Sequence, residues 1–407
     1  MAQVKPPFET FARIKIFGIG GGGNKAIQRM MDSKIHGVDF VAVNLDAQDL
    51  NVANTPTKIL IGKNLTRGLG AGMNPAVGRE AAEQSRDELH EVIKGSDMIF
   101  VACGLGGGTG TGASPIVAEI ARDAGALTVG IVTKPFSFEG AARARIAEEG
   151  WKQLRDKVDA LITISNDRLF SIIDRKTPLL EAFTKVDDVL RQGVQGISDL
   201  ITIPGLINVD FADVRTIMSA SGSALMGIGR ATGEDRAIEA AKMAINSPLL
   251  EISIEGARGL LFNVAGGPDL AMAEINEAAK IITESTDPDA RIIFGAVQDD
   301  SLKKGEIKIT VIATGFNNGE PKIARPIQRP MQPYMPIEPS GNGVPVAVNR
   351  SYNEEPPKQQ PQTLSSSDGF SSNDQREPKK EIIDESLEKD DDEFDIPAFI
   401  RKKMGSR

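Results

Sequence analysis

Cysteine, histidine and tryptophan are nearly missing from this 407-residue chain, which holds one Cys, two His and one Trp. A single cysteine cannot build a disulfide framework, and Cys103 falls inside an apolar run, so a reducing compartment is expected. His36 and His90 stand far from that cysteine and from any acidic cluster, which leaves neither a zinc motif nor a histidine-based triad. Long hydrophobic runs are missing too. No stretch reaches the roughly 18 apolar residues of a spanning helix, and Met1 to Thr10 have no apolar signal core. The expectation is a cytosolic protein without direct membrane insertion. Positive charge is in deficit, 47 Lys and Arg against 56 Asp and Glu, for a net charge of −9. That balance argues against nucleic acid as the main partner.

Glycine is abundant instead, and it is concentrated. Five of the seven residues from Gly106 to Gly112 are glycine. Asp97 to Cys103 ahead of them reads as a buried parallel strand, and Ala113 to Ala124 behind them carry Ile116, Val117, Ile120 and Ala121 at helical spacing. Glycines on a strand-to-helix turn let bare backbone N–H groups meet an anion, and Thr109 and Thr111 add hydroxyls. This is a phosphate loop without the Gly-Lys-Ser/Thr of a Walker motif. A second glycine loop, Gly20-Gly21-Gly22-Gly23-Asn24-Lys25, follows the strand at Arg13 to Ile19 and precedes a helix from about Ala26. With Gly18 it satisfies the dinucleotide pattern, and Asp46 ends the next strand (Asp39 to Leu45), so a nicotinamide enzyme is one reading. Two glycine loops facing one crevice suit a nucleoside di- or triphosphate better. Thr66 to Pro75 make a third, with Pro75 set to start a helix reaching about Lys94.

Strands at 58–62, 127–133 and 160–165 and a helix over about 140–156 complete a strand–helix alternation. The expected fold is α/β: a doubly wound parallel sheet with ligands at its carboxyl edge, joined by a long central helix to a smaller α/β domain, then a disordered tail. The long helix runs from about Pro178 to Thr202, with Leu179, Phe183, Val186, Leu190, Val194 and Ile197 in helical register, and spans roughly 36 Å. Beyond it, strands at 218–228, 257–265, 291–298 and 306–314 alternate with helices at about 233–246 and 269–284. The organisation read here is a loose arm at 1–11, a nucleotide domain at 12–178, the central helix at 179–203, a second domain at 204–317, a linker at 318–390 and a terminal peptide at 391–407. About half of the 23 prolines lie beyond residue 318, as in a chain that buries no core. Apolar residues return only in Phe394-Asp395-Ile396-Pro397-Ala398-Phe399-Ile400, a peptide suited to docking on a partner.

The run from Gly106 to Gly112 resembles the signature of the tubulin/FtsZ family, and Asn208 to Val214 and Asp395 to Lys402 are similar to its bacterial cell-division branch. The resemblance covers about 12–316 and the final peptide. It implies a GTPase that binds GTP and GDP and polymerises head to tail into the filaments of a mid-cell division ring in the cytoplasm. It further implies that residues Asp395 to Lys403 bind a membrane adaptor and other division proteins. It places phosphate contacts on Gly21, Gly22, Gly23, Ala71, Gly72, Gly108, Thr109 and Gly110, and Gly20, Asn24, Lys25 and Gly107 in the same loops are further candidate nucleotide contacts. Glu139 and Arg143 fall at ribose and phosphate, Asn166, Phe183 and Asp187 at guanine, and Asp210 and Asp213 are the catalytic acids with Asn208 beside them. No metal-binding side chains are implied. Magnesium is expected to ride on the phosphates and waters, since Lys25 and Arg143 bring little positive charge to a triphosphate.

Each assignment has a plainer alternative. Phe183 and Asp187 share a helix face, which suits a stacked base and a carboxylate for the guanine N1–H and N2–H, or equally core and surface. Glu139 and Arg143, also four apart, can be an ordinary helix ion pair. Asp210 and Asp213 can cap a helix rather than polarise water, which would leave a nucleotide-bound structural polymer with negligible hydrolysis. Asp210 lies beyond the far end of the long helix, so one subunit cannot join both halves of the chemistry. The chain departs from the family pattern at Leu45, Lys25, Ala141 and Ala142.

Overall fold

Strands buried on both faces carry apolar side chains at nearly every position, and four of these strands form the centre of the fold. In β1 (Ile14–Ile19), Ile14 and Ile16 pack into one hydrophobic layer while Phe17 and Ile19 enter the other. In β4 (Met98–Gly104), Met98, Phe100 and Ala102 likewise oppose Ile99, Val101 and Cys103. The computed structural model describes residues 12–35, 37–171, 177–203, 205–247, 250, 253–299 and 302–316. The expected arm, linker and adaptor peptide lie outside the described residues.

In chain order, β1 leads to α1 (Gly20–Asp32), β2 (Val38–Asn44), α2 (Ala47–Val52), β3 (Thr57–Leu60), α3 (Lys63–Thr66), α4 (Pro75–Gln84) and α5 (Arg86–Ile93). After β4 come α6 (Thr109–Asp123), β5 (Leu127–Lys134), α7 (Ala141–Arg155) and β6 (Ala160–Ser165). The long helix α8 (Leu179–Thr202) and the short α9 (Phe211–Met218) then precede β7 (Gly222–Thr232), α10 (Arg236–Ile245), β8 (Gly259–Gly266), α11 (Met272–Glu284), β9 (Arg291–Gln298) and β10 (Glu306–Thr314).

All ten strands join one sheet in the order β3-β2-β1-β4-β5-β6-β7-β10-β8-β9. From β3 to β7 every pairing is parallel, and only β10 runs antiparallel to its neighbours. The smaller α/β portion is therefore continuous with the larger one, through three paired residues between β6 and β7. Helix α8 lies across the layer that both portions share, burying Val186, Leu190, Val194, Ile197 and Leu200 beside Met226, Leu261 and Ile312. Its apolar residues recur every three or four positions, the spacing of one helix face.

Several boundaries differ from those expected. Helices α1 and α6 begin at Gly20 and Thr109, inside the glycine runs, because the first turn needs no side chains once strand and helix packing hold it. The helix expected to reach Lys94 breaks at Ser85, whose hydroxyl accepts from the Gly62 N–H at 3.3 Å. Val214, Ile217 and Met218 are the buried face of α9, so β7 starts at Gly222 rather than at 218. The short helices α2 and α3 were not expected.

Candidate functional site: a three-loop crevice at the carboxyl edge

Strand β1 pairs with β2 on one side and β4 on the other, so the sheet order reverses between β1 and β4. Right-handed crossovers running in opposite directions from that point place their helices on opposite faces. Accordingly α1 packs in the layer with α8, and α6 packs in the layer with α4, α5 and α7. The glycine loops stand at the carboxyl ends of β1 and β4, where these helices part.

The loops converge to atomic contact. Gly20 turns with φ +71°, and a Cβ there would stand 2.9 Å from the Gly110 N. A Cβ on Gly108 would stand 2.6 Å from the Ala71 Cβ and 2.9 Å from the Asn74 N, which brings in the third loop. Asp46 caps α2 by accepting from Gln48 and Asp49 N–H groups, and Asn74 caps α4 through Ala76. Helices α1 and α6 have no side-chain cap and no acidic residue in the first turn. Their N–H groups and positive dipole ends are thus left for an anion. Asp46 is a helix cap here, not the ribose-binding acid of a dinucleotide fold.

Thr109, the first residue of α6, is partly exposed. Thr111 is buried, and its hydroxyl accepts from the Gly106 N–H at 2.9 Å, so it shapes the loop rather than facing a ligand. Gly21 and Gly107 are partly exposed, Gly22 exposed, and Ala71 and Gly23 buried; Gly72 has φ +56°. Asn44 donates to Asp49 at 2.7 Å, beside Gly21.

Farther along the edge the crevice changes character. Asn24 is 3% exposed with neither side-chain polar atom partnered, and Asn166 is buried with its Oδ1 unpartnered. Buried amides of this kind are normally satisfied, so both fit a hydrogen-bonding ligand. Phe183 is 38% exposed and meets Phe136 edge-on at 5.7 Å; Phe136 stacks on exposed Phe138 at 4.9 Å. One helical turn from Phe183, Asp187 pairs with Arg29 at 3.1 Å. Burial pushes the Asp187 carboxyl up to about 6, opposed by the nearby charges of Arg29 and Lys25. Lys25 is exposed, and its charge acts at the base end of the crevice as well.

Glu139 and Arg143 do form the ion pair, at 2.9 Å. They are also part of the crevice wall: Glu139 accepts from the Phe136 N–H at 2.8 Å, and the Arg143 Cγ would lie 2.8 Å from a Cβ on Gly106. The buried Arg143 Nε has no partner. Sequence reasoning missed Phe136, Phe138, Arg29 and the Asn44–Asp49 pair. For the two phenylalanines the signal was present, since Pro135-Phe136-Ser137-Phe138 directly follow a strand at the carboxyl edge.

Asn208, Asp210 and Asp213 are exposed. Asn208 follows Ile207, which bridges Ala296 of β9, while the two acids stand at the start of α9, which reaches the opposite edge. Asp210 caps α9 by accepting from Ala212 at 2.8 Å, and the Asn208 Oδ1 accepts from Gly205 at 2.7 Å. Arg215, two residues past Asp213, donates to the Gly125 carbonyl at 2.7 Å, in the turn that leads into the amino end of β5. The structure therefore gathers the expected nucleotide residues and leaves the expected acids away from them. Among the described residues there is no group of three or more His, Cys, Asp or Glu able to hold a metal, and no helix long and apolar enough to cross a membrane.

A doubly wound sheet with three glycine loops and two uncapped helix ends at its reversal point defines a nucleotide-phosphate-binding protein. Family models narrow the class. The Tubulin/FtsZ family GTPase domain matches residues 13–174, and the FtsZ family C-terminal domain matches residues 222–317. The chain is 48% identical to the FtsZ dimer of M. jannaschii (TM-score 0.72; 75% of this chain and 88% of that one). It is 47% identical to a tryptophan-to-tyrosine mutant of the same FtsZ (TM-score 0.73; 75% and 92%). A protofilament of CetZ2 from Haloferax volcanii shares the fold at 21% identity (TM-score 0.65; 76% and 95%). This chain belongs to the tubulin/FtsZ family, and it is a GTP-binding GTPase of the FtsZ type.

Proposed function

We propose that the protein is an assembly-coupled GTPase that polymerises head to tail, in the cytoplasm, into the filaments of a bacterial division ring. Residues 12–178 hold the nucleotide, α8 spans the subunit, and 204–317 present Asp210, Asp213 and Asn208 to the nucleotide of the next subunit. The observation that carries this reading is the separation of crevice and acids to opposite edges of one sheet. Exposed apolar side chains flank both: Val52, Leu69, Met73, Phe138 and Phe183 at the carboxyl edge, and Leu206 just ahead of Asn208. Such surfaces suit burial against a second copy. The relatives described as a dimer and as a protofilament accord with it.

In the shared site, N–H groups of the three loops receive the phosphates. Asn166, Asp187 and Phe183 receive guanine, with the ionised Asp187 accepting from N1–H and N2–H. Asp210 and Asp213, acting across the interface, orient and polarise the attacking water. The loops are rich in backbone donors and poor in carboxylates, which fits magnesium carried on the phosphates; when bound it supplies positive charge to the transferred group. The Asp395 to Lys403 peptide tethers the filament to a membrane adaptor.

The cap made by Asp210 favours the second reading, a nucleotide-bound structural polymer with negligible hydrolysis. Phosphate release measured against protein concentration separates the two. Turnover should switch on above a critical concentration. Activity per subunit that is independent of concentration defeats the shared site, and its absence in assembled filaments favours the structural polymer.

A further inference from the structure

Asp159 stands in the turn ahead of β6, at the same amino edge as α9. Its carboxylate joins two separate elements. Oδ2 accepts from the Thr128 N–H in β5 at 2.9 Å, and Oδ1 accepts from the Ala220 N–H, in the turn leaving α9, at 3.3 Å. Its carbonyl accepts from the Gly222 N–H at 2.9 Å and from the Ser221 hydroxyl at 3.3 Å. The turn it grips is strained: Ala220 has φ +49°, a left-handed conformation that a residue with a Cβ rarely adopts. None of these partners belongs to the glycine loops.

The grip matters because of what α9 carries. Its apolar face, Val214, Ile217 and Met218, is buried in the layer that both portions share. Apolar packing sets which face of a short helix is buried, but it is non-directional and weakly resists sliding or rolling. Directional bonds must set the register: Arg215 donates to the Gly125 carbonyl and the Thr314 hydroxyl to the Ile217 carbonyl, and the turn that leaves α9 is tied to the sheet by the Asp159 carboxylate. We infer that Asp159 is a positioning residue for hydrolysis. By clamping residues 220–222 between β5 and β6 it fixes α9, and with it the point at which Asp210 and Asp213 meet the neighbouring subunit's nucleotide. This inference rests on the shared-site reading above.

The test is Asp159→Ala in the full chain, assayed for phosphate release and for GDP affinity. kcat should fall roughly 10- to 100-fold, as for a displaced catalytic group, while KM for GTP and Kd for GDP stay within about twofold. Wild-type kcat, or a GDP affinity that falls with the rate, overturns the inference. Asp159→Asn, which keeps one acceptor, should show a smaller loss of kcat at unchanged GDP affinity, and carries the same test if the alanine variant does not fold. A complementation assay separates the two levels of argument. Gly108→Val has a spoiled phosphate loop and intact acids, so mixing it with Asp159→Ala should restore phosphate release, as it should for Asp213→Ala. Rescue of Asp213→Ala alone overturns the role of Asp159. Rescue of neither overturns the shared site on which that role depends.

Discussion

At the scale of single residues, the guanine contact proposed for Asp187 would couple nucleotide binding to pH. With its folded carboxyl raised to about 6, the native protein holds more protons than the unfolded chain between about pH 4 and pH 6. Its contribution to the stability of the nucleotide-free protein is therefore full below that window and lost as pH rises through it. Guanine recognition has the opposite sign, because only the carboxylate can accept both N1–H and N2–H. GDP affinity should weaken about tenfold between pH 7 and pH 5, measured by equilibrium binding with a fluorescent GDP analogue. Asp187→Asn should bind weakly and show no such slope; a steep slope in that variant would assign the titration elsewhere. Thr111 offers a second test. Thr111→Val keeps the shape but leaves the buried Gly106 N–H without its acceptor, a loss of about 1–3 kcal/mol. Thr111→Ser keeps the acceptor and should retain most of the stability in urea unfolding. Of these two residues Asp187 was named through the family resemblance, its spacing from Phe183 suiting core and surface equally, and its partner Arg29 was not named. An ion pair between helices distant in sequence leaves no local pattern, and neither does the inward turn of the Thr111 hydroxyl.

At the scale of elements, strands were the most legible. Strands β1, β4, β5 and β6 are buried on both faces, so their apolar runs are almost unbroken and their ends fall within a residue or so of expectation. Helix starts were least legible where they matter most. Glycine has low helix propensity, so Gly20 to Gly23 read as loop although they form the first turn of α1. The break at Ser85 is hidden because the apolar spacing of α4 continues into α5. Close packing between α4 and α6 leaves a sharper test. A Cβ on Gly112 would stand 2.0 Å from the Pro75 carbonyl oxygen, a backbone atom that cannot swing aside. Gly112→Ala should destabilise the protein by about 1–3 kcal/mol or more and weaken GDP binding, since α6 carries the phosphate loop. An unchanged thermal midpoint would contradict the tight α4–α6 approach.

At the scale of the whole molecule, the proposed distribution of function over two edges predicts how mutants combine. Asp213→Ala should bind GTP normally yet depress the turnover of wild-type protein in mixtures, because each mutant acid loop silences a wild-type neighbour's nucleotide. Phosphate release that falls only in proportion to dilution would argue against sharing. Removing residues 394–407 should spare filament formation by light scattering and abolish recruitment to adaptor-coated liposomes.

The ladder between β6 and β7 carries another consequence. It has three paired residues, against six between β5 and β6 and eight between β7 and β10. A filament under tension or bending loads its subunits, and a sheet parts first where the fewest backbone hydrogen bonds share the load. Native-state hydrogen exchange should find the amides of Ala160 to Ile162 and Gly222 to Ala224 opening at lower free energy than those of β4 and β5. If that ladder is the weakest seam, a filament of the kind proposed would bend first at this line within each subunit, with α8 as the element left to hold the two portions together.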